Sequence, residues 1–255
     1  MGYFDLGAPI ALAHRGFSLD GLENSMVAFQ AAVDLGYRYV ETDVHATSDG
    51  VAVAFHDSSL DRVTDRSGSI AKMPWSQVRR ARIGGSEPVP TLAEVLHTWP
   101  RLKVNIDVKS AAAIGPTIDV IERESAHERV CLTSFSDARR LATLRGLSRP
   151  VATSGGTGVV RRFVLGSLTG ARGRARKAIS EVGGLQVPES AGPLRVVSSR
   201  TIAAAHAAGV QVHVWTVNDP ADMHRLLDLG VDGLVSDRAD LLREVLVERD
   251  EWVEG

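Results

Sequence analysis

Residues 39–56 read Tyr39-Val40-Glu41-Thr42-Asp43-Val44-His45-Ala46-Thr47-Ser48-Asp49-Gly50-Val51-Ala52-Val53-Ala54-Phe55-His56. Two strand-like runs, Tyr39–Val44 and Val51–Phe55, lie only six residues apart. A parallel crossover needs about a dozen residues or more, so the second run turns back antiparallel. Asp49-Gly50 is the dipeptide that a two-residue type I′ hairpin favours. With Ser48 and Val51 as the flanking pair, opposed residues sum to 99, and His56 is expected to face Asp43 across the hairpin.

Outward from this hairpin, the chain alternates short apolar runs with helix-period stretches. Strands are expected at Ile10–Arg15, Tyr39–Val44, Val104–Lys109, Val130–Phe135, Pro150–Ser154, Gly184–Pro188, Val210–Val217 and Gly233–Ser236. Helices are expected at Ser25–Leu35, Leu92–Trp99, Pro116–Ser125, Asp137–Leu144, Ser199–Ala208 and Pro220–Leu229. This alternation argues a parallel sheet with crossover helices. Eight strands fit a single α/β fold, a (β/α)8 TIM barrel, with the hairpin and a short insertion at about 57–90 after the second barrel strand. A doubly wound sheet is the alternative, but no G-x-G-x-x-G turn follows the first strand. No low-complexity linker divides the chain, so one domain over 1–255 is expected. Leu241–Trp252 is amphipathic, suited to capping the barrel or meeting a second subunit; the sequence does not give the oligomeric state.

With 255 residues, 44% hydrophobic and 24% charged, the composition is that of a folded globular chain and excludes a disordered one. The net charge of −2 argues against bulk nucleic-acid binding. Cys131, the single cysteine, cannot form an internal disulfide, and Met1 to Leu12 shows no basic region before its apolar run; both point to a cytoplasmic protein. No run approaches the ~18 apolar residues of a membrane span. Charge is unevenly placed: 138–180 holds ten bases and no acid. A solvated face is the ordinary reading of such a cluster; a peripheral membrane contact or a phosphate-bearing substrate is the functional one.

Alternate strand residues share a face. Glu41 and Asp43 therefore share one face, opposite Val40, Thr42 and Val44, and Asn105, Asp107 and Lys109 share one opposite Val104, Ile106 and Val108; the apolar members suit the barrel–helix interface. Three carboxylates turned into a barrel cost several kcal/mol each unless neutralised. A divalent metal on oxygen ligands would do so, and so would an ion-pair network with Lys109 and Arg15. His14 and His56 both map to strand ends on the C-terminal rim, where barrel active sites sit. Two imidazoles can divide proton uptake and delivery near neutral pH. With Arg15 and Lys109 for phosphate oxygens, the set describes hydrolysis of a phosphate ester.

The motifs Ala13-His14-Arg15-Gly16, Glu23-Asn24-Ser25 with Ala28-Phe29, Glu41-Thr42-Asp43-Val44 and Thr47-Ser48-Asp49-Gly50 come in that order. They are followed by His56-Asp57 with Leu60-Asp61-Arg62, then Asn105-Ile106-Asp107-Val108-Lys109, Trp215-Thr216-Val217-Asn218 and Gly230-Val231-Asp232-Gly233. In these the sequence resembles the glycerophosphodiester phosphodiesterase family of phospholipase C-like TIM-barrel enzymes, across residues 13 to 237. The resemblance implies that His14 and His56 are acid and base across the scissile phosphodiester. It implies that Glu41, Asp43 and Asp107 hold a divalent metal, Mg²⁺ or Ca²⁺ with Mn²⁺ as a further option, and that Arg15 and Lys109 contact phosphate. Trp215 matches an aromatic that packs on the glycerol or the leaving alcohol, or that simply packs inside the barrel. Asn24 is expected to fix the loop after the first strand, and Phe135 and His213 to be packing or supporting residues.

Two positions depart from the family pattern. Asp107 stands where Glu is usual, one methylene shorter, and Ser25 replaces the commoner Thr while keeping its hydroxyl. The implied reaction is hydrolysis of a small-molecule glycerophosphodiester to sn-glycerol 3-phosphate and an alcohol. The insertion is mostly polar, which favours water-soluble head groups. Phe163-Val164-Leu165, inside the basic stretch, keeps open a lysophospholipase D acting at a membrane surface. A catalytically silent barrel that binds a phosphorylated ligand would be marked by a lost histidine or acid, and none is lost. A sugar-phosphate isomerase or aldolase leaves the acids and paired histidines unexplained.

Overall fold

The computed structural model describes residues 2–5 and 7–255. Met1 and Leu6, part of the stretch read for a leader, lie outside the described residues. Eight parallel strands run Ile10–His14, Tyr39–Ala46, Lys103–Val108, Val130–Thr133, Ala152–Thr153, Gly184–Val187, Gln211–Val214 and Gly233–Ser236. Each pairs with its neighbours in sequence, and the first pairs with both the second and the eighth. Between the fifth and sixth strands one parallel bridge, Ser154 to Gly184, completes the ring. Gly155 N donates to Gly184 O at 3.1 Å and Gly183 N to Thr153 O at 3.0 Å across it. The eight expected strands are all present, and the architecture is the TIM barrel.

Val40, Val44, Val104, Ile106 and Val108 are buried in the layer between barrel and helices, together with Phe29, Leu92, Val95 and Ile121. The alternate residues turn inward. Ile10, Leu12, Tyr39, Cys131 and Val235 fill the barrel floor, which Tyr3 closes from below. His14, Glu41 and Asp43 continue the same inward rows up to the rim.

The hairpin forms, in a different register from the one expected. Val44 pairs with Ala54, His45 with Val53 and Ala46 with Ala52, so opposed residues sum to 98 rather than 99. Thr47 explains the slip. Its backbone N–H bonds Val51 O at 3.0 Å and its hydroxyl accepts from Val51 N at 2.9 Å. The loop is therefore the three residues Ser48-Asp49-Gly50, with Gly50 at φ 82, and not a two-residue turn. Asp43 O meets Phe55 N, not His56, and His56 is aimed from beyond the end of the ladder.

The insertion after the hairpin has an apolar core of its own. Leu60, Ile70, Val78, Ala81, Ile83 and Val89 pack against Val53 and Phe55. The crossover between the fifth and sixth strands holds two helices with no counterpart among the expected ones, Thr157–Leu168 and Arg172–Ala178.

Candidate active site

Six of the eight inferred site residues arise from the first three strands and the turns that leave them; His56 follows the hairpin and Trp215 the seventh strand. His14 and Glu41 are register partners, as are Asp43 and Asp107 one step higher on the second and third strands. Arg15 (φ 57) and Gly16 (φ 82) turn the chain sharply at the end of the first strand. Asn24 N donates to Arg15 O at 2.9 Å, while the Asn24 side chain accepts from Thr42 Oγ1 at 2.7 Å and donates to Asp43 Oδ2 at 3.3 Å. Asn24 is thus a buried brace for the loop, as expected.

His14, Arg15, Glu41, Asp43, His56, Asp107, Lys109 and Trp215 all line one cavity of about 730 Å³ at the C-terminal rim. Lys109 Nζ lies 2.8 Å from Asp43 Oδ1 and 2.8 Å from Asp107 Oδ2. Arg15 Nε lies 3.1 Å from Asp43 Oδ2. Burial would raise the Asp43 carboxyl, but these two cations hold it below the usual range. Glu41 lies apart from both side chains. Its burial, with Asp43 beside it, pushes it up to about 8. Burial likewise raises Asp107 despite Lys109, and Asp107 Oδ1 has no hydrogen-bond partner. As arranged, Asp43 and Asp107 form an ion-pair network with Arg15 and Lys109, while Glu41 Oε2 lies 3.7 Å from His14 Nε2. Among the described residues no three His, Cys, Asp or Glu side chains converge as an ion cage.

Each histidine has its own carboxylate. His14 Nδ1 donates to Asp237 Oδ1 at 2.6 Å, and His56 Nδ1 to Asp57 Oδ1 at 2.6 Å. Burial would lower the His14 imidazole, but the Asp237 bond and nearby Glu41 raise it above its ordinary value. Asp57 is in turn held by Arg62 at 2.6 Å, Arg62 by Glu23 at 2.6 Å, and Glu23 by Arg15 at 3.0 Å. This chain ties the insertion to the first strand. Asp237, Asn218 behind it (2.9 Å), and the Glu23–Arg62 link were not picked out as site residues from the sequence. The alternation Gly233, Val235, Asp237 carries the signal for Asp237, one step beyond the eighth strand.

The opposite wall is apolar: Val160, Val164, Leu165, Leu194 and Val196 line it, with Phe135 and Trp215 at the mouth. Phe135 is not a packing residue. It is 57% exposed, its ring meets Trp215 edge-on at 5.9 Å, and Lys109 Nζ lies 5.4 Å from its centroid. His213 is buried on the barrel floor, bonded to Gln211 Oε1 at 3.0 Å and packed on Phe4, away from the cavity.

A rim of this kind on a closed parallel barrel brings together the groups that hydrolysis of a phosphate ester requires. Comparison with known proteins is narrower: the Glycerophosphoryl diester phosphodiesterase family model matches residues 14–241, and the chain belongs to that family. A Mycobacterium tuberculosis protein named "Probable glycerophosphodiester phosphodiesterase 2" is 47% identical over 96% of this chain and 94% of its own length. A mouse protein named as a lysophospholipase D is 24% identical over 92% of this chain and 85% of its own. Among solved structures, an Oleispira antarctica phosphodiesterase in complex with the product sn-glycerol-3-phosphate superposes with a TM-score of 0.77. It is 22% identical and covers 94% of this chain and 98% of that one.

Proposed function

We propose that the chain is one catalytic domain over 1–255 that hydrolyses a glycerophosphodiester to sn-glycerol 3-phosphate and an alcohol. The observation that carries this reading is the meeting of His14, His56, Arg15 and Lys109 in one cavity beside the acid cluster. Arg15 and Lys109 bind the non-bridging phosphoryl oxygens and stabilise the charge that gathers there. His56, oriented by Asp57, takes the proton from the attacking hydroxyl, of water or of the glycerol itself. His14, kept protonated to higher pH by Asp237, delivers a proton to the departing alkoxide.

The residues fit a hard divalent cation, with Mg²⁺ or Ca²⁺ favoured over Mn²⁺. Glu41, Asp43 and Asp107 offer only oxygen donors, and Asp107 Oδ1 is a buried oxygen without a partner. When bound, such an ion supplies Lewis-acid polarisation of the phosphoryl group and a hold on the glycerol hydroxyls. A cytoplasmic site of action belongs to the same proposal, supported by Cys131 being buried and unpaired; among the described residues no helix is long and apolar enough to cross a membrane.

The test is release of glycerol 3-phosphate from glycerophosphocholine with and without each metal, EDTA being expected to abolish it. His14→Ala and His56→Ala should each lower kcat by roughly 10²–10⁴. A nitrophenyl ester, whose leaving group needs no proton, should restore most of the rate to His14→Ala and little to His56→Ala. Full activity in both variants overturns the assignment. The apolar wall favours a second reading, a lysophospholipid whose acyl chain lies along Val160, Val164 and Val196. Faster turnover of lysophosphatidylcholine than of glycerophosphocholine would establish it.

A further inference from the structure

The helices Thr157–Leu168 and Arg172–Ala178 pack on one another, and the first of them lines the cavity. Arg161, Arg162, Arg172, Arg174, Arg176 and Lys177 stand exposed on them. None of these six forms an ion pair among the described residues, whereas Arg62, Arg225 and Arg249 elsewhere are each held by carboxylates. Six like charges without counter-ions repel one another, and no acid lies between 138 and 180 to relieve them. Two leucines are exposed among them, Leu165 at 48% and Leu168 at 39%. Arg161, Leu165 and Leu168 follow one another at helical spacing, so they form a single stripe that starts at the cavity, which Arg161 and Leu165 line.

We propose that this helix pair is a docking surface for an anionic lipid bilayer and that it brings the cavity mouth to the membrane face. Basic side chains flanking exposed leucines suit the boundary between head groups and acyl chains, where the apolar groups leave water while the cations meet lipid phosphates. Outside this helix pair the chain carries a net charge of −8. An anionic surface therefore attracts this face while the remainder, taken as a whole, is repelled. The leucines distinguish a bilayer from a soluble polyanion, which would use the charges alone.

The experiment is co-sedimentation of the whole protein with vesicles of phosphatidylglycerol and phosphatidylcholine, against phosphatidylcholine alone. Binding is expected only with phosphatidylglycerol, strong at about 0.05 M salt and lost at about 0.5 M, where the charges are screened. The triple variant Arg172→Glu, Arg174→Glu, Arg176→Glu should lower the partition coefficient by about a hundredfold or more. Leu168→Ser should weaken vesicle binding several-fold while retention on heparin stays as in the unaltered protein. No binding of the unaltered protein to phosphatidylglycerol vesicles at low salt overturns the proposal, as does undiminished binding by the triple variant. Vesicle binding that ignores Leu168→Ser and is displaced by heparin would make this a soluble-polyanion site instead. None of these readouts depends on hydrolysis, so they stand or fall separately from the proposed activity.

Discussion

His14 and His56 each donate to an aspartate at the same distance, yet those aspartates have different neighbours. Asp57 shares its charge with Arg62, whereas Asp237 is backed by the neutral amide of Asn218. The Asp237 charge is thus spent mainly on His14. Asp237→Asn keeps the shape but removes that charge, so the alkaline limb of the pH–rate profile should move to lower pH; an unmoved limb would mean that His14 is not the acid. His213 supplies a prediction that is independent of chemistry. Full burial on the barrel floor depresses its imidazole from 6.5 to about 4. The unfolded chain therefore binds more protons than the folded one between these values, and stability falls as the pH drops through that window. The loss is on the order of 3 kcal/mol, and urea midpoints measured from pH 7 to 4 should fall less steeply in His213→Gln.

The turn after the first strand and the hairpin turn both use glycine at φ 82, for different reasons. A Cβ on Gly50 would meet nothing within 4 Å, so Gly50→Ala should cost only the left-handed backbone, about 1–2 kcal/mol. A Cβ on Gly16 would lie 2.6 Å from the Ala28 carbonyl carbon, where helix Met26–Asp34 approaches. Gly16→Ala should therefore cost more, about 3 kcal/mol or above, and should also lower activity by displacing His14 and Arg15. Equal urea midpoints for the two variants would refute this close approach. These elements also mark what the sequence could reveal. Strand Lys103–Val108 is legible because polar and apolar residues alternate strictly, and Tyr39–Ala46 because its acids Glu41 and Asp43 fall two apart between Val40 and Val44; the same spacing marks the acid cluster and Lys109. The hairpin register is not legible, because a threonine side chain, not the Asp49-Gly50 dipeptide alone, sets the loop length. Helix Thr157–Leu168 is not legible in the sequence because its cap is not local. Asp137, twenty residues earlier in the chain, accepts from Gly156 N and Val159 N at 3.0 Å each. Helix Leu92–Thr98, by contrast, carries its capping box, Thr91 with Glu94, in plain sight.

Across the whole molecule, the barrel divides into a floor packed with aliphatic and aromatic side chains and a rim that concentrates opposed charges. The floor was assembled from residues that looked like ordinary core; the rim needed the order of the strands before its members could be seen to meet. If the acid cluster receives a cation, binding to the folded form alone must stabilise it, so Mg²⁺ or Ca²⁺ should raise the melting temperature in a concentration-dependent way. Asp107→Asn should blunt that rise; a melting temperature indifferent to both ions would leave the ion-pair network as the resting arrangement. The ring is stitched unevenly. Most neighbouring strands share three or more register pairs, but the fifth strand has two residues and meets the sixth through a single bridge. Local opening is easiest where fewest bonds must break together. Amide protons of Gly155 and Gly183 should therefore exchange with solvent sooner than those of the central strands. Because the crossover that spans this seam also forms the apolar wall of the cavity, its breathing would widen the pocket from one side only, a built-in exit for bulky product while the charged wall stays still.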